Sequence, residues 1–341
     1  MEKLLFLAHT EADGTLSKVS LESLSAAKSL VEGLGAELSV GLVGEDVAGA
    51  ARTIGGCGAK SFFSASGAEF GQARYATDAA ACEALCKASG ATLVVAPADS
   101  RFSRVLPGVA FRLGGRIDTQ LTGVSADGGT PTATRWFYRQ RMVANLTREQ
   151  RPWIMTVSPG CYDPFQGEGE ASVTPVDVDL PESCLRTTVV GIEAPSADEQ
   201  TIRPDAAILF VAGAGWTKKQ ADGQTHAKEA GELILGFTST TKASLGSSKS
   251  LVDLSGEGQA VLPFLTHLHQ VGQTGSTPRH QKGLATCCHG EEPHVVGWRF
   301  IKERRAVNLD AGCGWAQGKA DVLYVADSFK VMEKVNELLK K

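Results

Sequence analysis

No stretch of this chain approaches the roughly 18 consecutive apolar residues that a membrane-crossing helix needs, and the opening run of residues 1–8 gives way at once to Thr10, Glu11 and Asp13. Neither a signal peptide nor membrane insertion is expected. The 8 cysteines contain no C-x-x-C pair, so zinc-ligand spacing is missing, and a chain large enough for two cores does not depend on disulfides. The expected location is therefore a reducing cytoplasm. Excess positive charge is also missing: 34 Lys and Arg face 38 Asp and Glu, a formal net charge of −4. Nucleic acid and anionic membranes both select a basic face, so neither is an expected partner. Internal repeats and low-complexity tracts are absent. No Ser-His-Asp order or paired-carboxylate pattern stands out to suggest acid–base or nucleophilic catalysis.

What is present is material for two α/β domains. A chain of 341 residues exceeds an average domain and suits two, and 38 glycines with 43% hydrophobic and 21% charged residues fit a loop-rich globular protein. Apolar runs at 3–8, 37–43 and 92–96 predict buried strands. They alternate with helical spacing at 20–33, 70–89 and 101–113, the rhythm of a parallel sheet covered on both faces. From 130 to 157 the pattern changes to short β-rich runs at 133–138, 142–146 and 153–157, with exposed-looking aromatics Trp136, Phe137 and Tyr138. A Pro-, Glu-, Asp- and Ser-rich stretch at about 159–204, holding one strand-like run at 187–192, marks a boundary. The expected domains are 1–204 and 205–341. The second begins with a strand at 206–212 and continues with a helix at 224–235, strand-like runs at 283–286, 305–309 and 322–325, and a last helix at 329–339. Cys82 and Cys86 stand four apart in a predicted helix, where burial as small hydrophobes is the ordinary outcome.

The chemistry-bearing residues concentrate in the second domain. Gln270-Val271-Gly272-Gln273-Thr274-Gly275 combines glycines, which permit close backbone approach, with neutral donors and acceptors. Gly213-Ala214-Gly215 follows a strand, as a phosphate-binding turn would, but Lys218 stands where a dinucleotide fingerprint needs its third glycine. Gly246-Ser247-Ser248-Lys249 and Asp253 come next in order before the Q-V-G-Q-T-G segment. After it come His289, Gly290 and His294 within an acidic turn holding Glu291 and Glu292, then Asn308 and Asp310, then Asp327 and Ser328. The imidazoles and carboxylates of that turn could also serve zinc or iron, although their spacing fits no signature of either metal.

In order and spacing this series resembles the flavin-binding half of the electron transfer flavoprotein alpha subunit family. Weaker likeness reaches the first domain through Leu16-Ser17 and Val95-Ala96-Pro97-Ala98 with Asp118. The resemblance implies a two-domain α/β fold whose C-terminal, Rossmann-like domain binds FAD. It also implies a heterodimer with a beta subunit packed against the N-terminal domain, and electron transport from an upstream dehydrogenase to a downstream quinone reductase or other acceptor. The implied FAD contacts are Gly213, Gly215, Ser248, Lys249, Asp253, Gln270, Val271, Gly272, Gln273, Thr274, Gly275, His289, Gly290, His294, Asn308, Asp310, Asp327 and Ser328. Thr274 would face the flavin ring, with Gln270 and Gln273 holding the ring and its chain.

Several positions depart from the family pattern. Gly215 stands where G-G-R-G has arginine, and Lys249 replaces the arginine of G-A-S-R, keeping the charge but losing the planar fork. Glu291 and Glu292 make acidic a turn that is mostly neutral in the family. Lys218 or Lys219 could supply charge a turn beyond Gly215, and Trp216, Trp298 and Trp315 fall near the implied site, with packing as their default role. These departures leave an alternative, a flavin-free alpha-like subunit with a structural or docking role in a redox complex.

Overall fold

The structure, a computed structural model, describes residues 2–138, 142–191, 202–203, 206–253, 260–271, 280–287, 298, 301–311 and 320–341. The chain divides into two compact units, residues 1–192 and 193–341.

The first unit begins β1 (Lys3–His9), α1 (Lys18–Leu34), β2 (Glu37–Gly44), α2 (Ala48–Thr53), β3 (Ser61–Ser66), α3 (Tyr75–Ser89), β4 (Leu93–Pro97) and α4 (Ser100–Arg112). It continues with β5 (Arg116–Asp127), β6 (Thr130–Phe137), β7 (Met142–Leu146), β8 (Trp153–Val157) and β9 (Val173–Pro175). The strands form one sheet in the order β7-β6-β5-β8-β4-β1-β2-β3-β9. Pairing is parallel from β5 through β8 to β9, and antiparallel only where β6 joins β5 and β7. The strong apolar runs fall at the centre because a covered parallel sheet buries both faces. On β1, Leu4, Phe6 and Ala8 enter the core with α1 residues Leu24, Ala27 and Leu30, while Leu5 and Leu7 enter the opposite core with Leu85 and Val105. Local signals set the helix ends. Ser17 caps α1 by accepting from the Ser20 N–H, and Gly35 closes it in the left-handed conformation at φ 59.

Behind these cores a buried ion pair ties α3 to α4. Arg101 donates to both carboxylate oxygens of Asp78, at 2.9 and 2.6 Å, and to the Phe70 carbonyl at 2.7 Å. With every partner in place the charges are matched, and removing either one would strand the other in the core. Cys82 and Cys86 are buried on α3; burial pushes the Cys86 thiol up to about 12 and that of Cys82 well above its usual range. They are packing groups, not nucleophiles.

The second unit contains β10 (Ile208–Ala212), α5 (Ala227–Thr241), β11 (Ser244–Ser247), α6 (Lys249–Asp253), β12 (Lys282–Thr286), β13 (Glu303–Asn308), β14 (Val322–Val325) and α7 (Ser328–Leu339). Among the described residues all five strands are parallel, in the order β11-β10-β12-β13-β14. From β10 the chain first moves outward to β11 and then crosses to β12 on the other side. The strand order therefore reverses between β10 and β12, the switch point where open α/β sheets leave a crevice beyond their carboxyl ends. One face packs Phe210, Trp216, Ile234 and Phe237 against Phe329 and Met332 of α7, and the other packs Leu209 and Val211 against Val271, Trp298 and Ile301.

Several elements differ from expectation. Residues 187–191 form no strand; their apolar side chains are mostly exposed, Val190 completely so, and so have no sheet face to join. Four strands emerge where no periodicity announced them. β5 carries polar residues and a register shift between Leu121 and Gly123, while β3, β9 and β11 are short, Ser- or Pro-bearing segments. The helix expected from residue 70 starts at Tyr75, after a 3-10 turn at Ala68–Phe70, and the helix expected to end at 235 runs on to Thr241.

One pair in the first unit generates a pH prediction. The Nε2 of His9, at the end of β1, lies 2.9 Å from Asp99 Oδ2, and its Nδ1 lies 3.2 Å from the Thr10 carbonyl, so both ring nitrogens meet acceptors. The other oxygen of Asp99 caps α4 by accepting from the Phe102 N–H at 2.7 Å. Burial alone would push the His9 pKa down, and Arg101 works in the same direction; the Asp99 carboxylate outweighs both and raises it. A raised folded-state pKa contributes stability that is complete below the unfolded value, about 6.5, and is lost as pH rises through the folded value. Asp99→Asn should therefore cost about 2 kcal/mol near pH 5 to 6. In urea unfolding of the purified chain, that difference should shrink steadily as the pH is raised above about 7.

Candidate functional site

Because β10 to β14 run parallel, their carboxyl ends share one edge, and a ladder of backbone hydrogen bonds joins the segments that leave it. The Gly213 N–H donates to Thr286 O at 2.8 Å and the Gly215 N–H to Cys287 O at 2.9 Å, seating the turn after β10 on the end of β12. The Ser248 N–H donates to Ala212 O at 2.9 Å, and the Val271 N–H to Ser247 O at 3.1 Å. The Cys287 N–H is shared between Val307 O and the Ser328 hydroxyl, each at 3.2 Å, and that hydroxyl donates onward to Val307 O. The Ala326 N–H donates to Asn308 O at 3.1 Å. Gly213, Gly215, Ser248, Lys249, Asp253, Gln270, Val271, Asn308, Asp310, Asp327 and Ser328 are thereby gathered along a single edge. Gly272, Gln273, Thr274, Gly275, His289, Gly290 and His294, with Glu291, Glu292 and Trp315, lie outside the described residues. Among the described residues no group of His, Cys, Asp and Glu could hold a metal ion.

The gathered side chains have distinct duties. Ser248, 3% exposed, accepts from the Leu251 N–H and starts α6. Lys249, half-exposed, lies 3.8 Å from Asp253 one turn along α6, and Asp253 also lies 3.7 Å from His267. Asn308 is buried and turns its amide to the Asp310 carbonyl, while Asp327 caps α7 through the Phe329 N–H at 2.9 Å. Gln270 is 1% exposed and its amide nitrogen has no hydrogen-bond partner among the described residues. Buried donors are mostly hydrogen-bonded in native proteins, so this amide is open to a bond from a ligand or a water. The described part of the edge therefore offers a neutral donor at Gln270 and the Lys249 cation, a set suited to holding a polar ligand.

Residues that sequence reasoning did not select shape the same edge. Cys287 has φ +54, the left-handed region, where a non-glycine residue is strained. Burial pushes its thiol up to about 12, so it is a neutral wall and not a nucleophile. Trp216 is fully buried, packs against Phe329 with ring centroids 4.6 Å apart and planes tilted by 56°, and donates its indole N–H to Thr286 Oγ1 at 2.8 Å. Trp216 and Trp298 are thus core residues. The 3-10 turn Ala214–Thr217 carries Trp216 into that core, and its next residues Lys218 and Lys219 enter a turn held by Gln220, whose amide donates to Gly215 O and Lys218 O. No sequence signal marks Cys287, because its conformation follows from the close approach of two chain segments.

That approach accounts for Gly215. A Cβ built there would lie 2.8 Å from Cys287 O and 3.0 Å from Cys287 Cβ, so the position has no room for the arginine of the resembling motif.

A two-unit α/β protein whose second, parallel sheet reverses its strand order between β10 and β12 is the class that the fold defines. A family model described as the electron transfer flavoprotein domain matches residues 4–183. Protein FixB of Clostridium saccharobutylicum is 27% identical over 308 residues, covering 88% of this chain and 85% of that protein. The electron transfer flavoprotein subunit alpha of Thermoanaerobacterium thermosaccharolyticum is 25% identical over 345 residues, covering 99% and 98% of the two chains. A mitochondrial alpha subunit from Oryza sativa subsp. indica is 27% identical over 261 residues, covering 74% of this chain and 65% of its own length. The chain belongs to the electron transfer flavoprotein family, on its alpha-subunit side.

The packing at Gly215 is directly testable. Gly215→Ala forces a methyl group against the Cys287 backbone, and should destabilise the second unit by about 1–3 kcal/mol. Gly215→Arg should be no better tolerated. Thermal melts of the purified proteins, compared with an exposed control such as Gly223→Asn, check both.

Proposed function

We propose that the chain is the alpha subunit of an electron transfer flavoprotein, with FAD held at the carboxyl edge of the sheet β10–β14 in its C-terminal domain, residues 205–341. The observation that carries this reading is positional. Those of the singled-out residues that are described, Gly213, Gly215, Ser248, Lys249, Asp253, Gln270, Val271, Asn308, Asp310, Asp327 and Ser328, lie along one edge at a strand-order reversal. Open α/β sheets bind dinucleotides at such a place.

FAD, when bound, supplies the electron-carrying chemistry, and the protein's part is to hold it and set its potential. Gln270 brings a buried amide donor without a partner to a neutral acceptor on the ligand. Lys249 brings positive charge from the first turn of α6, moderated by Asp253. Asn308 and Asp310 stand where the resemblance puts the adenosine side. Asp327 and Ser328 fix the start of α7 against β12 and β13. Thr274, Gln273 and His294 complete the set as the resemblance implies.

The N-terminal domain, residues 1–204, would pack on a beta subunit. Supporting this, Phe137, Tyr138, Met142 and Val143 at the ends of β6 and β7 are all exposed, Tyr138 at 74%. Exposed large apolar side chains gathered on one hairpin are a feature of interaction surfaces. The second unit also has an apolar groove of about 460 Å³, lined by Ile208, Phe237, Leu284, Val307, Tyr324 and Val335 among others. Electrons would arrive from a dehydrogenase and leave to a quinone reductase or other acceptor. The flavin-free docking reading draws on one observation, the closure of position 215 by Cys287.

A visible flavin spectrum on the chain purified with its beta partner, with FAD identified after release, separates the two readings. Expressed without that partner, the chain should aggregate or lose flavin. Lys249→Met should retain FAD and lower its midpoint potential by roughly 30 mV, equivalent to about 1.4 kcal/mol for a two-electron couple. A reductive titration against Lys249→Arg reads this, and identical titrations for all three proteins would remove Lys249 from the site.

A further inference from the structure

Gln270 is not alone in its unmet bonding. Among the described residues the hydroxyl of Ser247 is also buried without a hydrogen-bond partner, on a residue with no solvent exposure. The two residues are parallel bridge partners at the carboxyl end of β11, and bridge partners present their side chains on the same face. Their neighbours confirm the alternation. A Cβ built on Gly246 would meet Val271 Cγ2 at 2.7 Å, and Val271 belongs to the core with Leu209 and Trp298, whereas Leu245 belongs to the opposite core with Trp216 and Leu251. Ser247 and Gln270 therefore stand side by side on the Leu245 face, next to the segment that opens α6.

Ser248 is different, because its hydroxyl is engaged in starting α6. In the G-A-S-R pattern alanine occupies position 247, so the Ser247 hydroxyl belongs to this chain and not to the family pattern.

We propose that Ser247 and Gln270 form a subsite for a hydroxyl group on the polyol chain of the bound flavin dinucleotide, with Ser247 as its specificity residue. This rests on the reading that the edge holds FAD. The Gln270 amide nitrogen can only donate, while the Ser247 hydroxyl can donate or accept. A single ligand hydroxyl satisfies both by accepting from Gln270 and donating to Ser247. Both protein groups are uncharged and buried, which favours a neutral ligand group over a phosphate at this point.

The test uses the full chain purified with its partner subunit, stripped of flavin and titrated with FAD and with FAD analogues that each lack one hydroxyl of the polyol chain. Affinity is read from the change in flavin fluorescence, and thermal melts of the flavin-free proteins confirm that the variant is folded. Ser247→Ala should weaken FAD roughly 3- to 10-fold. It should change the affinity for the analogue lacking the contacted hydroxyl by less than about twofold, since that bond is already gone. Unchanged FAD affinity in Ser247→Ala would overturn the proposal. So would equal weakening of FAD and every analogue, because Ser247 would then act on the fold or on a trapped water. A wild-type protein that takes up no flavin would instead overturn the underlying FAD reading, a result distinct from a flavin-binding wild type with a neutral Ser247→Ala.

Discussion

Parallel pairing is the constraint on which the second unit depends. When β10 to β14 run in one direction, every strand ends at the same edge, whatever the sequence distance between strands. Segments as far apart as Gly213 and Ser328 then become neighbours, and the bonds from Gly215 to Cys287, from Ser248 to Ala212 and from Cys287 to Ser328 fix their relative positions. The strand order reverses between β10 and β12, the position at which open α/β sheets commonly bind ligands.

The same edge shows how tightly its departures from the family pattern are coupled. Gly215 leaves no space for a side chain because the Cys287 backbone closes on it, and Cys287 reaches that position through a left-handed conformation. Trp216, next in sequence, fills the core beneath and is locked to β12 through Thr286. An arginine at position 215 would collide with the Cys287 backbone and side chain. Lys249 brings positive charge to the edge, half-exposed and shared with Asp253.

The sequence made part of this legible for physical reasons that can be named. Buried parallel strands such as Leu4 to Ala8 and Leu209 to Ala212 announce themselves because burial on both faces demands continuous apolar runs. β5 and β11 did not, since edge-to-core alternation with polar residues and a four-residue length leave little periodic signal. The residue order also picked out positions, from Gly213 to Ser328, whose described members the fold brings to one edge. What it could not carry was the role of Cys287, the closure of position 215 and the unpartnered pair Ser247 and Gln270, all of which arise from segments meeting in space. No helix among the described residues is long and apolar enough to cross a membrane, consistent with the absence of any such run in the sequence.

The central claim is that FAD occupies the carboxyl edge of the second sheet. Hydrogen–deuterium exchange on the partner-bound chain, with and without flavin, tests it most directly, because ligand binding slows exchange where it lowers local opening. The account predicts added protection concentrated at residues 213–217, 247–253, 270–271, 308–310 and 326–328, with strand interiors unchanged. Flavin-dependent protection confined to residues 1–192, or spread evenly over both units, would contradict it.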